Sequence, residues 1–157
     1  MTVTQFVDAF QNSVRVQLAW ERLASPEFSV THSVCGSTDL LGSMFTVWYE
    51  GQHGGNGDWR RPGRPLRVSQ VGITELDWPA ERRQRVSSFE RRFSQAREPV
   101  RLVLPTYALG KGGLLILDGT HRAVAAHRAL VQVWLHLHTV HGPIDEDILP
   151  DLRHHAP

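Results

Sequence analysis

The stretch Leu114-Leu-Ile-Leu-Asp-Gly-Thr-His-Arg-Ala-Val-Ala-Ala-His127 holds the residues best spaced for chemistry. A short apolar run passes through one glycine into small helix-forming residues, so a strand should hand over directly to a helix. The first backbone N–H groups of such a helix have no partner within it, and with the positive end of the helix dipole they make an anion site. Gly119 would let the backbone approach a ligand, Thr120 would cap the helix and reach a phosphate, and His121 and Arg122 would add two donors in the first turn. The dipole contributes ~0.3–1 kcal/mol for an exposed anion, so hydrogen bonds and the Arg122 charge must supply most of any affinity. The bland alternative is a tight Asp118-Gly119 turn followed by a solvated first turn.

Around this window the pattern predicts strand, helix, strand, strand, helix, strand, a mixed α/β layer structure. The members are a strand over Leu66 to Ile73, a helix over Pro79 to Ala96, and a strand over Val100 to Leu104 closed by Pro105. A turn at Leu109 to Gly113 then feeds a strand over Leu114 to Leu117, a helix from Thr120 to about Leu130 and a strand over Val131 to Val140. Upstream, Phe6, Phe10, Val14 and Leu18 recur at helical spacing and predict one amphipathic helix from Thr4 to Leu23. Alternation over Phe28 to Ser33 and Ser43 to Glu50 predicts two strands turned at residues 35–39, a β-hairpin. Gly51 to Pro65 carries five glycines and two prolines and reads as a long loop or hinge. The expected organisation is therefore an accessory part at residues 1–65, a core at 66–143 and an acidic tail at 144–157, all within one globular unit.

The segment Ile116-Leu-Asp-Gly-Thr-His-Arg-Ala-Val-Ala-Ala126, preceded by Pro99-Val-Arg-Leu-Val-Leu104, resembles the strand-to-helix motif of the ParB/sulfiredoxin superfamily. The resemblance covers about Leu66 to Val140. It implies that Gly119, Thr120, His121 and Arg122 hold the phosphates of a nucleotide, ATP or another. Sulfiredoxins place a cysteine where this chain has Thr120, so sulfinic-acid reduction is not expected. ParB proteins continue into a helix-turn-helix domain that this chain does not show, so sequence-specific centromere binding is not expected either. Phosphoryl transfer, as in the free-serine kinases of this fold, remains, with an acid near the first strand-to-helix loop as base. Such a reaction needs that base, donors on the phosphoryl group and usually Mg²⁺. Glu81 matches the base position, Glu75 and Asp77 are its alternatives, and Asp118 would accept a hydrogen bond or hold a metal-bound water. Glu81 is equally explained as an acid favoured by the helix dipole. The expected function is binding of a phosphorylated small molecule or nucleotide, with transfer to a small hydroxylated metabolite; the alternative is a non-catalytic nucleotide-sensing or DNA-associated module.

Composition narrows the classes. The 157 residues, 41% hydrophobic and 21% charged, fit one domain with a sizeable core. The single cysteine, Cys35, excludes an intramolecular disulfide and multi-cysteine zinc patterns, which points to a reducing, cytoplasmic setting. No apolar run reaches membrane-span length and Met1 to Phe10 is unlike a signal peptide, so no membrane partner is expected. The net charge of +1 averages an excess of eleven arginines over five acids between Arg60 and Arg101 with an acidic tail. That arginine-rich stretch would suit nucleic acid, but without a recognition motif a solvated helix face or an arginine wall beside a pocket is favoured. His136, His138 and His141 are tolerably spaced for a metal, yet no carboxylate or cysteine adjoins them, so no metal site is expected. His154-His155 reads as part of a disordered terminus.

Overall fold

The computed structural model describes residues 1–156. In chain order it contains helix α1 (Val3–Phe10), a 3-10 turn (Trp20–Ala24), strand β1 (Ser29–Cys35), helix α2 (Thr38–Ser43) and strands β2 (Phe45–Gly51), β3 (Asn56–Gly57) and β4 (Gly63–Arg67). A 3-10 stretch (Val68–Asp77) leads to helix α3 (Ala80–Ser94), strands β5 (Val100–Gly110) and β6 (Gly113–Ile116), helix α4 (Thr120–Arg128), strand β7 (Val133–His141) and a last 3-10 turn (Pro150–His154). The seven strands form one mixed sheet in the order β1-β7-β5-β6-β2-β3, with β4 also paired to β2. The mixed α/β class is as expected.

Period-2 alternation sorts the sheet's side chains onto two faces. Leu102, Leu104, Leu135 and Leu137 pack with α3 and α4 on one face, while Tyr107, Leu115 and Val140 pack with α1 and both ends of the chain on the other. Burying each of these large side chains stabilises the fold by roughly 1.5–3 kcal/mol, which is why both faces must be covered.

The expected Thr4–Leu23 helix is cut to α1. Thr2 and Gln5 close a capping box at its start, with Thr2 Oγ1 accepting from Gln5 N–H at 3.1 Å. Beyond it the N–H groups of Ser13 and Val14 both donate to Phe10 O at 3.0 Å, and Ser13 Oγ donates to the same carbonyl. Asn12 and Ser13 offer the backbone such local alternatives, and the β-branched Val14 and Val16 have low helix propensity, so the chain leaves the helix. Phe6, Phe10, Val14 and Leu18 are all buried, but the last two from irregular backbone.

The expected hairpin does not form. Ser37 Oγ accepts from Leu40 N–H at 3.0 Å and caps α2, so the supposed turn starts a helix that carries β2 away from β1. β1 pairs antiparallel with β7, whereas β2 runs parallel to β6 through Phe45↔Leu115. Residues 1–65 thus supply strands on both sides of the β7-β5-β6 centre. The expected loop at Gly51 to Pro65 contains β3 and most of β4, both folded back antiparallel on β2.

Two further boundaries differ. Leu66 to Ile73 is not a strand, because after β4 the buried residues Val68, Val71 and Thr74 recur every third position, the period of a 3-10 helix. β5 runs through Pro105 to Gly110; Pro105 lacks an N–H but its carbonyl accepts from Leu117 N–H at 2.9 Å. The acidic tail is not free either. Ile148, Leu149 and Leu152 are fully buried, and Ala19 N–H donates to Ile148 O at 2.8 Å, tying the two ends of the chain together. Pro157, the last residue of that expected tail, lies outside the described residues.

Candidate functional site

β6 stops at Ile116 while its parallel neighbour β2 continues to Gly51, leaving a step in the sheet where Leu117-Asp-Gly119 turns into α4. Crevices outside the ends of strands are the usual ligand sites of α/β sheets. A cleft of about 580 Å³ opens at this step, lined by Asp118, Gly119, Thr120 and His121 on one side. Arg85 of α3, Trp48 of β2, Trp59, the irregular segment around Asn12 to Gln17, and Asp151 complete it.

Gly119 is the cap of α4 and adopts a left-handed φ of +93°, so it, rather than Thr120, terminates the loop. Thr120 is the first helical residue and is nearly buried. A Cβ at Gly119 would lie 2.8 Å from Leu104 Cδ2 and 2.8 Å from Arg122 Nη2, so both conformation and space require glycine. No side chain caps α4, so its leading N–H groups have no side-chain partner, and Gly119, Thr120 and His121 at this helix start line the cleft.

His121 and Arg122, adjacent in sequence, part company. The His121 ring enters the cleft and meets the Trp48 ring edge-on, with centroids 5.1 Å apart. Burial, and then the charges of Arg85, Arg82 and Arg15, push its imidazole down to about 4, so it is neutral at pH 7 and can donate or accept one hydrogen bond. Arg122 does not line the cleft; its guanidinium lies behind Gly119, with Nη2 3.8 Å from Asp118 Oδ2. It stands within ion-pair range of Asp118 beside the glycine loop.

A smaller depression of about 210 Å³ shares Trp48, Arg85 and His121 with the main cleft and is bordered by Glu81, Arg82 and Pro79. Glu81 is therefore brought beside the strand-to-helix loop. Its alternatives are differently placed: Glu75 accepts from Arg128 Nη2 at 2.8 Å in an ion pair, and Asp77 is not a lining residue of either depression. Arg82 stacks over Trp48, its guanidinium carbon 4.1 Å from the ring centre, and donates to Asn56 Oδ1; burial lowers its guanidinium to about 10.

The far wall has little local signal in the sequence. Asp151 is 3% exposed and its Oδ1 accepts from the buried Tyr49 hydroxyl, while His154 Nε2 contacts Trp59 O at 2.9 Å and fixes that edge. Burial raises the carboxyl of Asp151 above its ordinary value, and burial with the neighbouring carboxylate raises the Tyr49 hydroxyl. Arg15 lies on the segment released when α1 ends early. The only available signals were the β-branched Val14-Arg-Val16 run and an acid set among Ile148, Leu149 and Leu152.

Other sequence candidates lie elsewhere. His138 stacks on His32 with centroids 4.4 Å apart, and His141 Nε2 is 2.9 Å from Thr31 Oγ1; among the described residues no group of three or more His, Cys, Asp or Glu could hold a metal ion. His155 is packed against Phe45 and depressed to about 4 by burial, so the His154-His155 pair belongs to the folded domain. Arg83 donates to the carbonyl oxygens of Glu75 and Leu76. Among the described residues no helix is long and apolar enough to cross a membrane. Compared with family models, with curated proteins and with solved structures, the chain has no match.

Proposed function

We propose that the cleft binds a phosphorylated small molecule or nucleotide, with its phosphate against the start of α4. The observation that carries this reading is the convergence of the uncapped Gly119-Thr120-His121 turn with the Arg85 and Arg15 guanidiniums in one cleft. Backbone N–H groups give a fixed cradle, and arginine forks match phosphate geometry. The neutral His121 offers one N–H donor without titrating near pH 7. Charge-assisted hydrogen bonds contribute about 1.5–3 kcal/mol each, so two or three of them give micromolar to millimolar binding of a small anion. The resemblance to the ParB/sulfiredoxin motif supports the same use of Gly119, Thr120 and His121; the phosphate contact it implies for Arg122 is not part of this reading, because Arg122 is not among the residues lining the cleft.

A phosphotransferase reading is favoured by Glu81, which borders the smaller depression next to His121 and Arg85. With ATP in the main cleft, a hydroxylated acceptor in the smaller one would present its proton to the Glu81 carboxylate. Mg²⁺ binds through one or two carboxylates and substrate phosphates, and Asp118 is the cleft carboxylate on the strand-to-helix loop that would hold it. The ion would neutralise charge on the phosphate oxygens.

The test is a thermal-shift screen of nucleotides and phosphorylated metabolites, with and without Mg²⁺. Stabilisation by phosphorylated compounds but not by their dephosphorylated forms is expected, and no stabilisation by any would remove the reading. Turnover separates the enzyme from a sensor: Glu81→Gln should abolish nucleotide consumption in the presence of an acceptor while nucleotide still binds. Full activity in that variant would take Glu81 out of the role.

A further inference from the structure

Asp151 is the one side chain of a charged type among the described buried residues; the other buried polar side chains are threonines. It faces the cleft, and its defined partner is the hydroxyl of Tyr49, a neutral group reaching it from β2. It forms no ion pair with Arg15 or Arg85, although both line the same cleft. A buried carboxylate without a cation is costly, and such groups are normally paired. The tyrosine fixes its position from the sheet side, and His154, the neighbour whose charge would favour the ionised carboxyl, makes its hydrogen bond to Trp59 O rather than to Asp151, so the cleft is open for a further counter-charge.

Resting on the phosphate reading above, we propose that the ligand is a phosphorylated amine, its phosphate at Gly119-Thr120-His121 and Arg85 and its ammonium against Asp151. The two walls then carry opposite selections. The helix start and arginines take the anion, and Asp151 sorts among phosphorylated compounds by demanding a cation at the other end. A neutral hydroxyl would satisfy one lone pair but leave the buried charge uncompensated, so amine and hydroxyl analogues should separate.

The experiment is calorimetric titration of the whole chain with ω-aminoalkyl phosphates of increasing length, each paired with the alkyl phosphate of the same length. At the matching length the amine should bind about tenfold or more tightly than its alkyl partner. Asp151→Asn, whose amide oxygen can still accept from Tyr49, should bring the pair to equality, with alkyl phosphate binding retained or tightened because a like charge leaves the cleft. Equal binding of the two series to the unaltered protein overturns the ammonium site alone, and so does a preference that survives in Asp151→Asn. Absence of binding by both series overturns the phosphorylated-amine ligand, and overturns the phosphate reading beneath it as well if no nucleotide or phosphorylated metabolite stabilises the protein. Should Asp151→Asn fail to fold, the comparison of the two series on the unaltered protein still decides.

Discussion

The two walls of the cleft are built differently. The α4 wall is regular structure: a strand ends, one glycine turns at positive φ, and backbone N–H groups are aimed by the helix itself. The opposite wall comes from irregular segments near both ends of the chain, Asn12 to Gln17 and Asp151, held by Tyr49 and by the docking of Leu149 and Leu152. On the proposed reading the first wall would cradle the phosphate and the second would select among phosphorylated compounds. Damage to the second should therefore appear first as lost stability, and damage to the first as lost affinity.

The largest effect should come from the packing behind the second wall. Leu152→Ala removes a fully buried side chain and should cost about 2–5 kcal/mol, lowering the melting temperature by roughly 4–20 °C in a domain of this size. Leu76→Ala, at a site 92% exposed, should change stability by no more than about 0.5 kcal/mol in the same melt. A near-neutral Leu152→Ala would mean that the chain ends do not form a wall.

Next is Gly119→Ala. It forces a Cβ against Leu104 and Arg122 at φ +93° and should destabilise by about 1–3 kcal/mol while misplacing the anion cradle. Equilibrium denaturation measures the first effect and ligand titration the second. A third contrast separates two arginines. Arg85→Ala should weaken phosphate binding about tenfold or more, because it removes a cleft-lining charge, whereas Arg122→Ala should weaken it less and act through Asp118 and the glycine loop. The reverse order would put Arg122 in contact with ligand.

The smallest effect is in pH dependence. His121 is pushed from 6.5 to about 4 in the folded protein, so between those values the unfolded chain binds a proton that the folded one does not. Stability should therefore fall as pH drops through that window, by at most about 1.4 kcal/mol per pH unit from this group. His155, also depressed to about 4, adds in the same sense, while Asp151, with its raised carboxyl, opposes it. Comparing denaturation curves of His121→Gln and the unaltered protein at pH 7 and 5 isolates the slope, which should flatten in the variant.

The contrast between the walls also explains what could be read from the sequence. Gly119, the α3 stripe of Val86, Phe89 and Phe93, and the alternation of Val133, Leu135 and Leu137 are local signals, because each element's own period decides it. The strand, glycine and helix of the α4 wall were legible for that reason, as was Glu81 at the start of α3. The second wall depends on contacts between distant parts of the chain. Nothing local announces that Arg15 leaves its helix to line a cleft, or that Asp151 meets Tyr49 across 102 positions. Phe6, Phe10, Val14 and Leu18 mark burial correctly, and only the backbone carrying the last two differs. The hairpin expectation failed on a capping serine, since Ser37 begins α2 where a turn between paired strands was expected.

The most direct measurement is calorimetric titration of the purified protein with a panel of nucleotides and phosphorylated metabolites, with and without Mg²⁺, beside their dephosphorylated counterparts and Arg85→Ala. The account predicts that at least one phosphorylated compound binds, that its dephosphorylated form does not, and that Arg85→Ala loses about tenfold or more of that affinity. Binding that is indifferent to the phosphate, or no binding across the panel, would contradict it.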